Sequence, residues 1–349
     1  MVGYHDEEDG MEQDPKTGFR HFLHKMNPVS PRAKGDLRII KNYFKTDDHA
    51  KAEMKDVDKY PEILKVAEVR TGLGLCDEEA AFVARRKAKV VCHFAQYLGL
   101  DPTLVHPEDI PTIALGGSGG GYRAMSGLLA YSAEMKRSGL WDLLMYVSGV
   151  SGSCWSIASY YTFGDLSFDK VIEHCKRRFF PHHPLSDDAI RAVLSAPGGM
   201  NLLLGPLEIK SESGLHVVPM DYYSVLTTGH IFLRNEEREA SNTFEPDFFG
   251  FKPEWFKFTN IKQHIADAAE PLPIFTAVRH ERPWKDWTDK EHPFETDKVD
   301  DKEHSESDAW WQWFEMTPFE IGCDELESWV PTWGFGEPFE GGKSTQGLP

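Results

Sequence analysis

A chain of 349 residues with 40% hydrophobic content is long and apolar enough for one large α/β domain or two ordinary ones, with a sizeable core. Its formal net charge of -18 argues against nucleic acid, because phosphate binding needs clustered Lys and Arg that displace counterions, and equally against electrostatic docking on anionic lipid. Any membrane contact falls instead to apolar and aromatic side chains, supplied by 10 Trp and 22 Phe, most of which are expected in the core.

In chain order, residues 1–35 mix charges with Gly, Pro and His and read as a mobile polar leader. Met1 to Asp14 lacks the basic start and apolar stretch of a secretion signal, and no run of 18 or more apolar residues occurs, so the expectation is a cytoplasmic protein. Five cysteines without CxxC spacing suit reduced thiols rather than zinc. Leu37, Ile40 and Phe44 recur at helical spacing, and Asp77 to His93 predicts a helix with Asp77 as its N-cap.

The centre alternates. Thr112 to Leu115 predicts a strand, then come glycines, a helix over Tyr122 to Lys136, a second strand over Leu143 to Val147 and a turn opening another helix at Ser153. That order implies a right-handed βαβ unit and a three-layer α/β sandwich, with a mixed, mostly parallel sheet and helices on both faces. Asp187 to Ser195 and Tyr222 to Leu226 predict further helices, and Leu272 to Val278 a buried strand. Residues 286–308 read as a charged, solvated loop, and Trp329 to Pro349 show neither a closing helix nor a closing strand.

Two glycine-serine clusters follow the two central strands: Gly116-Gly117-Ser118-Gly119-Gly120-Gly121 and Gly149-Val150-Ser151-Gly152-Ser153. A nucleophilic serine needs a sharp strand-to-helix turn with small neighbours, and N–H groups nearby for the developing oxyanion. Ser118 fits the literal G-x-S-x-G pattern, whereas Ser151 carries Ser153 at the last position. Three glycines after Ser118 make that segment better suited to donating N–H groups, and Ser151 is the better-fixed hydroxyl. Together they suggest Ser151 attacking an ester carbonyl while the N–H groups of Gly120 and Gly121 hold the oxyanion.

A dinucleotide-binding oxidoreductase is the rival class, because Gly119-Gly120-Gly121-Tyr122-Arg123-Ala124 fits G-x-G-x-x-A. It lacks the acidic residue expected to end the second strand, since Ser148-Gly149 follows Val147. The phosphate-loop pattern fails as well, since no Gly-Lys-Ser/Thr follows the glycines at 116–121; no HExxH metal motif is present, and His182, His183 and His280 sit in surface-like contexts.

Ser118-Gly119-Gly120-Gly121-Tyr122-Arg123-Ala124-Met125 and Ser148-Gly149-Val150-Ser151-Gly152-Ser153-Cys154-Trp155 resemble the two signature segments of the cytosolic (group IV) phospholipase A2 and fungal lysophospholipase family. Asp221-Tyr222-Tyr223-Ser224 with Gly229, Pro271-Leu272-Pro273-Ile274, and the segment from Trp313 to Gly322 resemble further blocks in the family's order. The similarity covers residues 40–340, and residues 36–349 read as the N-terminal part of such a catalytic domain.

The resemblance implies hydrolysis of a phospholipid or lysophospholipid acyl ester with peripheral membrane contact, Ser151 as nucleophile, Gly120 and Gly121 as oxyanion hole, and Arg123 as phosphate holder. It implies no cofactor and no metal; calcium is not expected, since 35 leader residues cannot form a C2 module. The family works with a Ser-Asp dyad, and here no Asp-Gly pair follows Ser151; Asp324 sits where an N-cap is expected. The expectation is a chain that stops before the dyad aspartate, as a fragment of an active lipase or as a lipid-binding pseudoenzyme.

Overall fold

A computed structural model of the chain describes residues 56–58, 60–179, 216–232, 257–280 and 311–345, with a few isolated positions between 183 and 211. The leader 1–35, the helix expected at Asp187 to Ser195 and the charged loop 286–308 lie outside the described residues. The chain divides into two units, one formed by Val57–Glu173 and Glu254–Leu348, the other by Met1–Asp56 and His174–Pro253 with the last residue.

The first unit holds a seven-stranded sheet in the order β1-β7-β6-β5-β4-β3-β2. Its strands are β1 (Arg70–Thr71), β2 (Ala114–Gly117), β3 (Tyr146–Val150), β4 (Leu272–His280), β5 (Trp311–Met316), β6 (Glu320–Cys323) and β7 (Ser328–Pro331). β2, β3 and β4 run parallel, with Leu115 opposite Val147 and Val147 opposite Pro273. The pairings β4–β5, β5–β6, β6–β7 and β7–β1 are antiparallel.

The sheet is thus mixed, as expected, but its parallel share is smaller than the sequence suggested. The connections 317–319 and 324–327 are too short for a crossover, which needs a dozen residues or more, so the chain can only fold back on itself there. The closing residues also differ from expectation. Besides β7 they form the ribbon β8 (Phe339–Glu340) and β9 (Lys343–Ser344), tied to the start of the unit where Ser344 Oγ accepts from the Ala67 amide at 2.8 Å. Interspersed Trp, Pro and Gly hide these short strands from a periodicity search.

Helix α1 (Asp77–Leu98) begins with Asp77, Glu78 and Glu79 in its first turn, where carboxylates oppose the positive end of the helix dipole, and stops at Gly99 with φ 69°. Cys76, not Asp77, is its N-cap. Phe82, Arg86 and Val90 recur at helical spacing and are buried. Helices α2 (Gly121–Ser138) and α3 (Gly152–Tyr161) follow β2 and β3. Side chains alternate along a strand, and β3 uses both faces. Tyr146 donates its hydroxyl to Glu79 of α1 at 3.1 Å, while a Cβ at Gly149 would lie 3.0 Å from Ile157 of α3. Helices therefore cover both sides of the sheet.

At the foot of β3 and β4 the buried guanidinium of Arg86 donates to four backbone carbonyls: Leu144 (2.9 Å), Asp142 (3.0 Å), Ala268 (3.1 Å) and Ala269 (2.5 Å). Burial pushes its pKa down, against the pull of Glu270. Glu270 accepts from Lys136 (2.9 Å), the Trp141 indole (2.7 Å) and the Tyr160 hydroxyl (2.9 Å), so the far end of α3 is anchored there as well. Tyr160 stacks on Phe168 at 4.0 Å between centroids.

Burial raises the Glu79 carboxyl above its ordinary range, with Glu320 and Glu315 adding like charge, against the Tyr146 hydrogen bond. A carboxyl that holds its proton better when folded stabilises the fold below its unfolded pKa. That contribution fades as pH rises through the folded value. Glu79→Gln keeps an acceptor for Tyr146, so we expect its melting temperature to exceed wild type by a few degrees at pH 7 and to converge near pH 4. Equal differences at both pH values would remove this assignment.

The second unit contains α5 (Pro219–Phe232), which covers the expected Tyr222 to Leu226 helix, and the C-terminal half of α4 (Phe168–Phe179). They are joined where the Ile231 carbonyl meets His174 Nε2 at 2.6 Å and the His230 carbonyl accepts from Arg178 at 3.3 Å. No described helix is long and apolar enough to cross a membrane.

Candidate active site

β2 and β3 end side by side, Gly116 opposite Ser148 and Gly117 opposite Gly149, so both glycine-serine turns leave the same edge of the sheet. The first turn, residues 118–120, opens α2 at Gly121; the second is Ser151 alone, opening α3 at Gly152. Ser151 has φ 58° and ψ -127°, a region costing a non-glycine residue about 1–3 kcal/mol unless its surroundings enforce it. Ser118 is absent from the positive-φ residues.

Three close approaches enforce the second turn. A Cβ at Gly152 would strike the backbone of Gly121, 2.6 Å from its nitrogen, and one at Gly149 would lie 2.9 Å from the Cys154 nitrogen. One at Gly117 would sit 2.8 Å from the Ser153 Cβ. The two turns are thus locked backbone to backbone, which only glycine permits. The Ser151 carbonyl also accepts from the Cys154 amide at 2.9 Å, closing the first turn of α3.

Ser151 is exposed and does not cap α3 with its side chain, leaving the hydroxyl free for other chemistry. Gly120 passes directly against it, since a Cβ there would stand 3.1 Å from Ser151 Oγ. Gly121 abuts Gly152, the residue after the serine. The structure therefore brings Ser151, Gly120 and Gly121 together. Gly120 is the N-cap of α2 and Gly121 its first residue, so their amides belong to the unsatisfied, electropositive end of that helix. Arg123, two residues on, is exposed and makes no ion pair among the described residues. The rings of Tyr122 and Trp155, each in the first turn of its helix, meet at 5.5 Å.

No described carboxylate or imidazole hydrogen-bonds the Ser151 hydroxyl. Asp324 begins a short 3-10 turn between β6 and β7 whose N-cap is Cys323, not Asp324 as the sequence suggested. Sequence reading missed Thr276, on β4 opposite Val150, whose hydroxyl donates to the Gly149 carbonyl at 2.9 Å. Only the strand register reveals it, and nothing local to Pro271–Val278 signals it.

A strained serine at a parallel strand's tip, against the glycine-rich N-terminus of the neighbouring helix, lies in an α/β fold at the junction of two strand-to-helix turns. Residues 113–245 match a family model described as the lysophospholipase catalytic domain. Over 296 residues the chain is 24% identical to mouse cytosolic phospholipase A2 delta, covering 82% of this chain and 29% of that protein. It is 26% identical to human cytosolic phospholipase A2 zeta over 287 residues, covering 81% and 28%.

Among solved structures, human GIVD cytosolic phospholipase A2 superposes with a TM-score of 0.56 at 21% identity, over 80% of this chain and 31% of that one. The same protein in complex with methyl gamma-linolenyl fluorophosphonate gives 0.56 at 20% identity. The chain thus has the fold of the cytosolic phospholipases A2 and resembles the phospholipase A2 and lysophospholipase family, while spanning under a third of the length of the curated relatives it matches.

Proposed function

We propose that residues 36–349 form part of the catalytic domain of a phospholipase A2 or lysophospholipase type hydrolase, with Ser151 as its nucleophile. The observation that supports this most is the exposed, positive-φ Ser151 with Gly120 against its Oγ. In this reading Oγ bonds to the acyl carbonyl carbon and gives its proton to a base. The carbonyl oxygen, now negative, is held by the Gly120 and Gly121 amides at the N-terminus of α2. Collapse breaks the ester C–O bond, the leaving alkoxide takes the proton, and water then hydrolyses the acyl-serine.

Arg123 holds the substrate phosphate, because its planar fork suits a phosphate at the anion-favouring end of a helix. In this reading the base is an aspartate, as the family resemblance implies. Apolar and aromatic side chains provide a peripheral membrane contact for a cytoplasmic protein. The lack of a described base at Ser151 also favours a second reading, a lipid-binding protein without turnover.

Methyl gamma-linolenyl fluorophosphonate, the ligand of a solved relative, is the probe. Wild type and Ser118→Ala should form the Oγ–phosphorus adduct with loss of fluoride, and Ser151→Ala should form none. Unlabelled wild type that still binds phosphatidylcholine vesicles would leave the pseudoenzyme reading in its place.

A further inference from the structure

One carbonyl behind the serine receives two side-chain donors from two different elements. The Gly149 oxygen, at the end of β3, accepts from Thr276 Oγ1 of β4 at 2.9 Å and from Cys154 Sγ of α3 at 2.9 Å. A carbonyl oxygen has two lone pairs, and side chains can fill both. We infer that Thr276 and Cys154 are positioning residues that hold the Ser151 turn in its reactive conformation by clamping the Gly149 carbonyl.

The geometry supports an effect on the serine itself. Gly149 lies two residues before Ser151, and its peptide plane sets the direction in which the chain enters the turn. Fixing that plane from β4 on one side and from α3 on the other leaves little freedom to relax φ of Ser151 toward negative values. Cys154 contributes twice, since its amide also closes on the Ser151 carbonyl. Burial pushes the Cys154 thiol above its ordinary range, so it remains protonated and able to donate near neutral pH. The two clamps differ in origin. Cys154 is local to the turn, whereas Thr276 comes from a strand more than a hundred positions later and couples the turn to the sheet.

This inference rests on the reading of Ser151 as nucleophile, and the test separates the two. Labelling by methyl gamma-linolenyl fluorophosphonate is followed over time at several concentrations, giving a maximal rate and a half-saturating concentration. Thr276→Val keeps the shape of the side chain and removes the donor. It should lower the maximal rate about tenfold, with the half-saturating concentration unchanged, because misplacing a reacting group slows the step without weakening binding. Thr276→Ser restores the donor and should stay within about twofold of wild type.

Cys154→Ala should lower the maximal rate and Cys154→Ser should not; this pair decides the matter if Thr276→Val fails to fold. A mere packing role predicts lower melting temperatures with unchanged labelling rates in the folded fraction. That result, with wild type labelled normally, overturns the clamp. Absence of labelling in wild type overturns the nucleophile reading on which it rests.

Discussion

Gly152→Ala should cost nearly all labelling at Ser151, a fall of at least about a hundredfold, because small displacements of reacting groups have effects of that size. The added methyl would drive into the Gly121 backbone, and the atoms it meets are all main chain, with no flexible side chain that could move aside. The least disruptive response is a retreat of the Gly120–Gly121 segment, which takes its amides away from the serine. Overpacking of this kind also destabilises a fold by about 1–3 kcal/mol, so the thermal midpoint should fall together with labelling.

Gly127→Ala is the control. A Cβ at Gly127 meets nothing within 4 Å, and alanine in a helix interior is better than glycine by about 0.5–1 kcal/mol. That variant should be slightly more stable and label normally. Normal labelling in Gly152→Ala would show that the contact between the two turns has no part in the site.

Arg86→Lys should be the most destabilising conservative substitution in the first unit, costing about 3 kcal/mol or more, as expected when a buried charge loses its partners. Arg86 is fully buried, and its planar fork spans carbonyls from the segment leading into β3 and from the one leading into β4. An ammonium has three donors at one point and cannot reach both segments. Carbonyls left without donors add to the loss. Urea titration reads this as a lower midpoint at unchanged slope. Because the clamp holds the ends of β3 and β4 opposite Ser151, the fraction that stays folded should label at the wild-type rate. A loss below about 1 kcal/mol would reduce Arg86 to an ordinary core contact.

The central βαβ unit was legible because its apolar runs and glycines are local signals: the helix expected over Tyr122 to Lys136 is α2, and the strand expected at Leu272 is β4. The pair of turns was legible for the same reason. Strand limits were set less well: the run Leu143 to Val147 forms mostly a buried approach, and β3 starts only at Tyr146. The antiparallel half was hidden by strands of two to six residues with one or two glycines or prolines nearby. Arg86 was unreadable in principle, since a helical arginine looks solvated until carbonyls far away in sequence converge on it. Thr276 was hidden for the same reason. The preference for Ser151 over Ser118 rested on the number of neighbouring glycines, and the backbone difference between them lies in φ, which sequence does not print.

The spacing of β3 and β4 along the chain has a consequence for biosynthesis. β3 ends at Val150 and its parallel neighbour begins at Leu272, with a segment of the second unit between them. On a ribosome adding roughly 5–20 residues per second, the nascent β3 keeps one naked edge for several seconds while everything from Ser151 to Pro271 is made. Leu143, Leu144, Met145 and Val147, all buried in the finished protein, stand beside that edge meanwhile, and an unpaired edge of this kind is open to wrong pairing. Thr276 emerges only with β4, so the serine turn matures well after its own residues have left the tunnel.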